Sequence, residues 1–333
     1  MSDSYDAVLV LSFGGPEQPD DVIPFLENVL RGRNVPRERL LAVAEHYYHF
    51  GGRSPINDQN RALVAGLQRL FADSGPDLPV YWGNRNWHPF LEDTARQMWG
   101  DGVRRAVVFA TSAFGSYSGC RQYIEDIARV REKLGPECPE LHKLRTFFNH
   151  PLFIQAAADR VSEALSHGPD AALLFTAHSI PISMAASSPY LAQLTESCRL
   201  LGERIGRTDW ELVYQSRSGP SGQPWLEPDV NARLRELASA GARSVVVAPI
   251  GFLSNHMEVV YDLDTEAAAT AASVGLALVR AGTVGTHPAF LRCIRELVLE
   301  RTGQADHRAE GEMDAALDVC AADCCQPPAR CPA

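Results

Sequence analysis

Short apolar runs alternate along the chain with longer stretches in which apolar residues recur at helical spacing. Asp6-Ala-Val-Leu-Val-Leu-Ser-Phe13 predicts a strand, residues 20–30 a helix, Val80-Tyr-Trp82 a short strand, residues 90–99 a helix, and Ala106-Val-Val-Phe-Ala110 another strand. Runs of the last kind are apolar at every position, which marks strands covered on both faces, as in parallel sheets flanked by helices. Such alternation predicts βαβ units.

The pattern then recurs. Val80 to Glu92, a helix, and Gly102-Val-Arg-Arg-Ala-Val-Val-Phe-Ala-Thr-Ser-Ala-Phe114 are matched in order by Val213 to Gly219, Pro224-Trp-Leu-Glu-Pro-Asp229, a helix, and Gly241-Ala-Arg-Ser-Val-Val-Val-Ala-Pro-Ile-Gly-Phe252. Val8-Leu-Val-Leu-Ser-Phe-Gly-Gly-Pro16 likewise parallels Leu173-Leu-Phe-Thr-Ala-His-Ser-Ile-Pro181. Two similar α/β domains are expected, residues 1–147 and 148–303, with a ligand cleft between them. Beyond Gly303 the pattern stops. Residues 304–333 form a cysteine-rich tail whose end, from Gln326, is expected to be ordered only by something that binds its cysteines.

The length of 333 residues agrees with two domains, and 45% hydrophobic with 22% charged residues is the balance of a soluble globular protein. A formal charge of −10 argues against non-specific nucleic-acid binding. The first residues show no secretory leader and no apolar run reaches membrane-spanning length, so the expected address is the cytoplasm. No G-x-G-x-x-G follows the first strand and no G-x-x-x-x-G-K-[ST] occurs, so no nucleotide cofactor is expected.

In a parallel sheet the strands deliver their C-terminal ends to one edge, where ligands bind. His178 and Glu258 follow two such strand-like runs. Each alone reads more readily as structural, the first as a strand-end histidine, the second as the start of a solvated helix. Together they suit a divalent cation such as Fe(II), or a base paired with an anionic relay. Asp262 and Asp264 follow, and Glu258 with Asp262 would share a helix face at i, i+4. That row is either a path for protons or cations, or a charged face.

Aromatic and basic residues are dense between 31 and 55: Arg31, Arg33, Arg37 and Arg39, then His46-Tyr-Tyr-His-Phe-Gly-Gly-Arg-Ser54. They offer flat faces for an aromatic ligand and guanidinium forks for its carboxylates, or else an amphipathic helix with a basic outer face. Of the eight cysteines, Cys320, Cys324, Cys325 and Cys331 crowd into the tail. Without two C-x-x-C pairs this is no zinc knuckle. Three tail thiolates with one from the body would suit an iron-sulfur cluster; a disordered tail with incidental cysteines is the alternative.

Leu11-Ser-Phe-Gly-Gly-Pro16, Phe50-Gly-Gly-Arg-Ser-Pro-Ile-Asn57, Thr176-Ala-His-Ser-Ile-Pro181, Tyr214-Gln-Ser-Arg-Ser-Gly219, Pro224-Trp-Leu-Glu-Pro-Asp229 and the run from Pro249 to Asp264 occur in the order in which the ferrochelatase family carries them. The chain resembles that family from about Tyr5 to Arg301. The resemblance implies two Rossmann-like, chelatase-type domains around a porphyrin cleft, and insertion of Fe(II), as substrate, into a porphyrin during haem synthesis. It implies that His178 and Glu258 are the catalytic and iron-binding pair, on opposite faces of the ring, and that Ser54, Tyr123, Arg31, Tyr47 and Phe13 contact the porphyrin. Many bacterial members carry a tyrosine where this chain has Phe13, and an arginine where it has His46. The arginine-rich segment after Leu30 suits coproporphyrin III better than protoporphyrin IX. The resemblance to soluble actinobacterial-type members also implies a [2Fe-2S] cluster on Cys120, Cys320, Cys325 and Cys331, with Cys324 as the alternate, and a transient contact with the next haem-pathway enzyme. A protoporphyrin ferrochelatase, a cobalt or nickel chelatase, and a non-catalytic porphyrin or haem binder are the rivals.

Overall fold

A computed structural model describes residues 4–32, 35–219 and 222–327. The first half runs β1 (Ala7–Ser12), α1 (Val22–Val29), α2 (Arg37–His49), α3 (Ile56–Ser74), β2 (Val80–Asn84), α4 (Leu91–Gly100), β3 (Arg105–Ala110), α5 (Gln122–Leu134) and β4 (Glu140–Lys143). The second runs α6 (Pro151–Leu165), β5 (Ala172–His178), α7 (Ile182–Ala186), α8 (Tyr190–Ile205), β6 (Trp210–Gln215), α9 (Val230–Ser239), β7 (Ser244–Ala248), α10 (Met257–Val259), α11 (Ala268–Ser273), β8 (Ala277–Arg280) and α12 (Pro288–Arg301). A π-helix, Val260–Ala267, joins α10 to α11 into one helical run.

The expected repeat is visible in the topology. One sheet has the order β2-β1-β3-β4 and the other β6-β5-β7-β8, and every pairing is parallel. In each, the first strand of its half lies at the second place, flanked by the next two, so β1 and β5 are equivalent. β1 is buried along its whole length, and β3 and β5 nearly so, which explains their unbroken apolar sequences. His178 is the last residue of β5, opposite Gln215 of β6. At the corresponding end of β1 stands Phe13.

The halves do not merely abut. The largest core cluster includes Val8, Phe109, Phe147, Phe153, Phe175 and Phe290, and so draws on both sheets. Phe290 of α12 packs on Phe109 at 6.2 Å and Phe147 at 6.0 Å between ring centroids. Gly66 of α3 lies so close to α12 that a Cβ there would come within 2.9 Å of Leu291 Cδ1.

The tail, where the sequence pattern stops, lies against the body as far as residue 327, so that all but the first two residues of the end from Gln326 lie outside the described residues. It carries neither helix nor strand, but its backbone is pinned to the body. Arg145 donates to Arg308 O at 2.8 Å, Asn149 Nδ2 to Met313 O at 2.6 Å, Glu310 N to Asn149 O at 3.0 Å, and Glu312 N to Glu196 Oε1 at 2.6 Å. Arg145 itself forms a buried bidentate pair with Glu300, at 2.7 and 3.0 Å. No helix among the described residues is long and apolar enough to cross a membrane.

Candidate active site

β5 carries His178 to the C-terminal edge of its sheet, and the loop after β7 returns alongside it to begin the helical run with Glu258. The close approach depends on Gly251: its amide donates to Thr176 O at 3.0 Å, and a Cβ there would lie 2.7 Å from Ala177 Cα. His178 Nε2 stands 3.5 Å from Glu258 Oε1, too close for a flat ring to lie between them, so the two meet side by side rather than on the opposite faces that the resemblance implies. The Ser179 carbonyl accepts from Nδ1, which leaves Nε2 as the atom that faces the carboxylate. Tyr190 donates its hydroxyl to His178 O at 2.9 Å, and His256 Nδ1 accepts from Glu258 N at 3.2 Å.

Charge is distributed unevenly over this edge. Burial disfavours the imidazolium of His178, but the Glu258 carboxylate outweighs it and holds the pKa above the ordinary histidine value. Glu258 keeps half of its side chain exposed, yet its surroundings still oppose ionisation; His178 prevails over that and pulls it down to about 2. Asp262 goes the other way. Burial, with the nearby Glu258 and Glu266 carboxylates, pushes it up to about 7, against the hydrogen bond it accepts from Ser216 Oγ.

The i, i+4 face expected of Glu258 and Asp262 takes a different form. Val260–Ala267 is a π-helix, and its wider turn brings residues four to five apart onto one side, so Glu266 continues the row. Asp264 does not belong to it, being paired with Arg280 of β8. Glu266, Gln215, Ser216, Tyr190 and His256 were missed as site residues by sequence reasoning. Gln215 and Ser216 could have been found from the end of β6, one strand across from His178.

First-half residues reach this edge from α2 and α3. Tyr47 is pushed above the ordinary phenol range by burial and by Glu258, which places it near that carboxylate. His46 stacks on Tyr261 with centroids 3.7 Å apart and planes 8° from parallel, and Gln59 exchanges two 2.8 Å hydrogen bonds with the Asn255 backbone. Phe13 keeps 37% of its surface exposed and meets Phe25 edge-on, and Phe25 in turn meets Tyr47 edge-on. Arg31 is exposed and donates to Asn28 Oδ1. Ser54 and Tyr123 lie inside the first half: Ser54 N donates to Pro16 O at 2.9 Å, and the Tyr123 ring sits under the Arg85 guanidinium at 4.7 Å. The structure therefore gathers His178, Glu258, Asp262 and Tyr47, while Arg31, Ser54 and Tyr123 make these contacts with other residues of the first half. Arg33 lies outside the described residues.

A second locus is a cavity of about 390 Å³ whose lining includes Cys120, Cys320, Cys324 and Cys325. Cys324 Sγ and Cys325 Sγ are 3.4 Å apart. Burial and the neighbouring sulfurs push Cys320 up to about 11 and Cys325 above the ordinary thiol range. Arg121, next to Cys120, donates to Ala322 O at 2.7 Å and so ties the tail turn to the body. Among the described residues no three His, Cys, Asp or Glu side chains stand ready to hold a metal ion, and Cys331 lies outside those residues.

The model of the family described as ferrochelatase matches residues 5–302. A protein of Rhodopirellula baltica named ferrochelatase is 56% identical, covering 96% of this chain and 93% of its own length. One of Nocardia farcinica named coproporphyrin III ferrochelatase is 51% identical, covering 98% and 97%. Among solved structures, SirB from Bacillus subtilis with Fe3+ superposes with a TM-score of 0.57 at 15% identity, covering 90% of this chain and 98% of that one, a likeness of fold alone. The duplicated sheets, the His178–Glu258 pair and these matches agree: the chain belongs to the ferrochelatase family, enzymes that insert iron into a porphyrin.

Proposed function

We propose that the protein inserts Fe(II) into coproporphyrin III, giving Fe-coproporphyrin III and two protons, in the cytoplasm and upstream of an enzyme that takes the iron porphyrin. The observation that carries this reading is the His178–Glu258 pair at a shared sheet edge, with Tyr47 close by. Relatives at about half identity over nearly the whole chain bear the name coproporphyrin III ferrochelatase. Arg31, Arg37 and Arg39, all exposed on the segment beside the site, supply the cations that a ring with four carboxylates needs.

The reaction replaces two pyrrole N–H protons by one Fe(II). With Nδ1 held by Ser179, the Nε2 lone pair of His178 accepts a ring proton once its own has left, and Glu258 stabilises the imidazolium so formed. The Asp262 carboxyl, near neutrality in its proton affinity, and Glu266 continue the row as a way out for protons or a way in for the cation. Phe13, Tyr47, Ser54, Tyr123 and Arg31 serve as porphyrin contacts in this reading, with Arg31 toward a propionate. The division into 1–147, 148–303 and 304–333 goes with it, each sheet furnishing one side of the cleft.

The gathering of Cys120 with Cys320, Cys324 and Cys325 around one cavity supports a [2Fe-2S] cluster held by Cys120, Cys320, Cys325 and Cys331, Cys324 being the alternate. Bound there, a cluster would supply electron exchange and a tie between tail and body.

The test is anaerobic turnover with Fe(II) and each porphyrin in turn. Catalytic loss of coproporphyrin III fluorescence in preference to protoporphyrin IX is expected. Stoichiometric quenching would identify a binder, and preference for protoporphyrin would overturn the substrate. Iron and acid-labile sulfide analysis tests the cluster separately.

A further inference from the structure

The end of β6 grips the site's helical run in a manner that the reaction chemistry above does not use. Gln215 is 1% exposed and lies opposite His178 in the sheet register. Its Nε2 donates to Glu258 O at 2.7 Å and reaches Asp262 Oδ2 at 3.5 Å, while its Oε1 is buried without a partner. Turning the amide over would set Oε1 against a carbonyl and a carboxylate, so the donor face is forced and the orphaned acceptor is its consequence. Ser216 adopts φ +63°, unfavourable for a residue with a side chain, and from there its hydroxyl meets the same Asp262 carboxylate. Two successive residues thus hold one strand end to one stretch of helix, at the place where α geometry gives way to π.

We propose that Gln215 is a positioning residue for iron insertion: its amide fixes Glu258 and Asp262 relative to His178, and Ser216 supports it. The inference rests on His178 and Glu258 carrying the chemistry. Gln215→Met keeps the length of the side chain and removes the amide, its donor together with the acceptor that has no partner here. It is expected to lower kcat between about tenfold and a hundredfold, the range a small misplacement of a catalytic group produces, with the Kd for coproporphyrin III within a factor of about two. Ser216→Ala, in a less buried place, is expected to lower kcat in the same direction with porphyrin binding again retained. Wild-type kcat in both variants, or a loss confined to porphyrin affinity, overturns the proposal. His178→Ala run in parallel keeps the failures apart: if it turns over at the wild-type rate, the underlying reading is wrong, whereas an inactive His178→Ala beside a fully active Gln215→Met removes the positioning role alone.

Discussion

A base works only when unprotonated, and this limits when His178 can act. Glu258 keeps the imidazole charged above its ordinary pKa of about 6.5, so kcat is expected to rise as pH climbs through that raised value. Glu258→Gln removes the cause and should move the rise to lower pH, as pH–rate profiles of the two proteins would show. For stability the signs differ between partners. The raised His178 contributes fully below its unfolded value and loses the contribution as pH rises through the folded one; the depressed Glu258 contributes above roughly 4.3 and loses it as pH falls through about 2. The pair is thus most stabilising between roughly 4.3 and 6.5. His178→Ala should abolish iron insertion while porphyrin binding, followed by fluorescence, persists. Both residues were legible because a titratable group at the end of an apolar run is conspicuous. Gln215 was marked only by its place at the end of β6, since a hydrogen bond to a backbone carbonyl leaves no trace in residue type.

At the level of elements, β5 and the loop after β7 can lie together only because residue 251 has no side chain. Gly251→Ala places a methyl against Ala177 Cα and pushes apart the two segments that bring His178 and Glu258 together. Overpacking of this kind costs about 1–3 kcal/mol, so a lowered melting temperature and a larger proportional loss of iron insertion are expected. The strands and their parallel order could be read from unbroken apolar runs and the internal repeat. The π geometry of Val260–Ala267 could not, since eight residues are too few to separate a π period from an α period. Nor could the pairing of Asp264 with Arg280, which depends on where β8 falls beside the helical run.

Over the whole molecule, the Arg145–Glu300 pair, each side chain 1% exposed, anchors the tail near the junction of the halves. Glu300→Gln leaves a buried guanidinium without its counter-charge, and a loss of about 3–5 kcal/mol is expected in urea unfolding. His150 beside it is driven down to about 3 by burial and by Arg145 and Arg308. Because the unfolded chain protonates this histidine first, stability should fall on acidification from about 6.5 toward that value, by at most ~1.4 kcal/mol per pH unit. The tail's order escaped the sequence because backbone hydrogen bonds to Asn149 and Glu196 impose no periodicity. The duplication has a further consequence at this scale. Equivalent strand ends present a hydrocarbon at Phe13 and an ionisable ring at His178. On the proposed reading, a nearly symmetric macrocycle between them would acquire a polarity, with proton traffic on the His178 side and a chemically silent wall from the copied half.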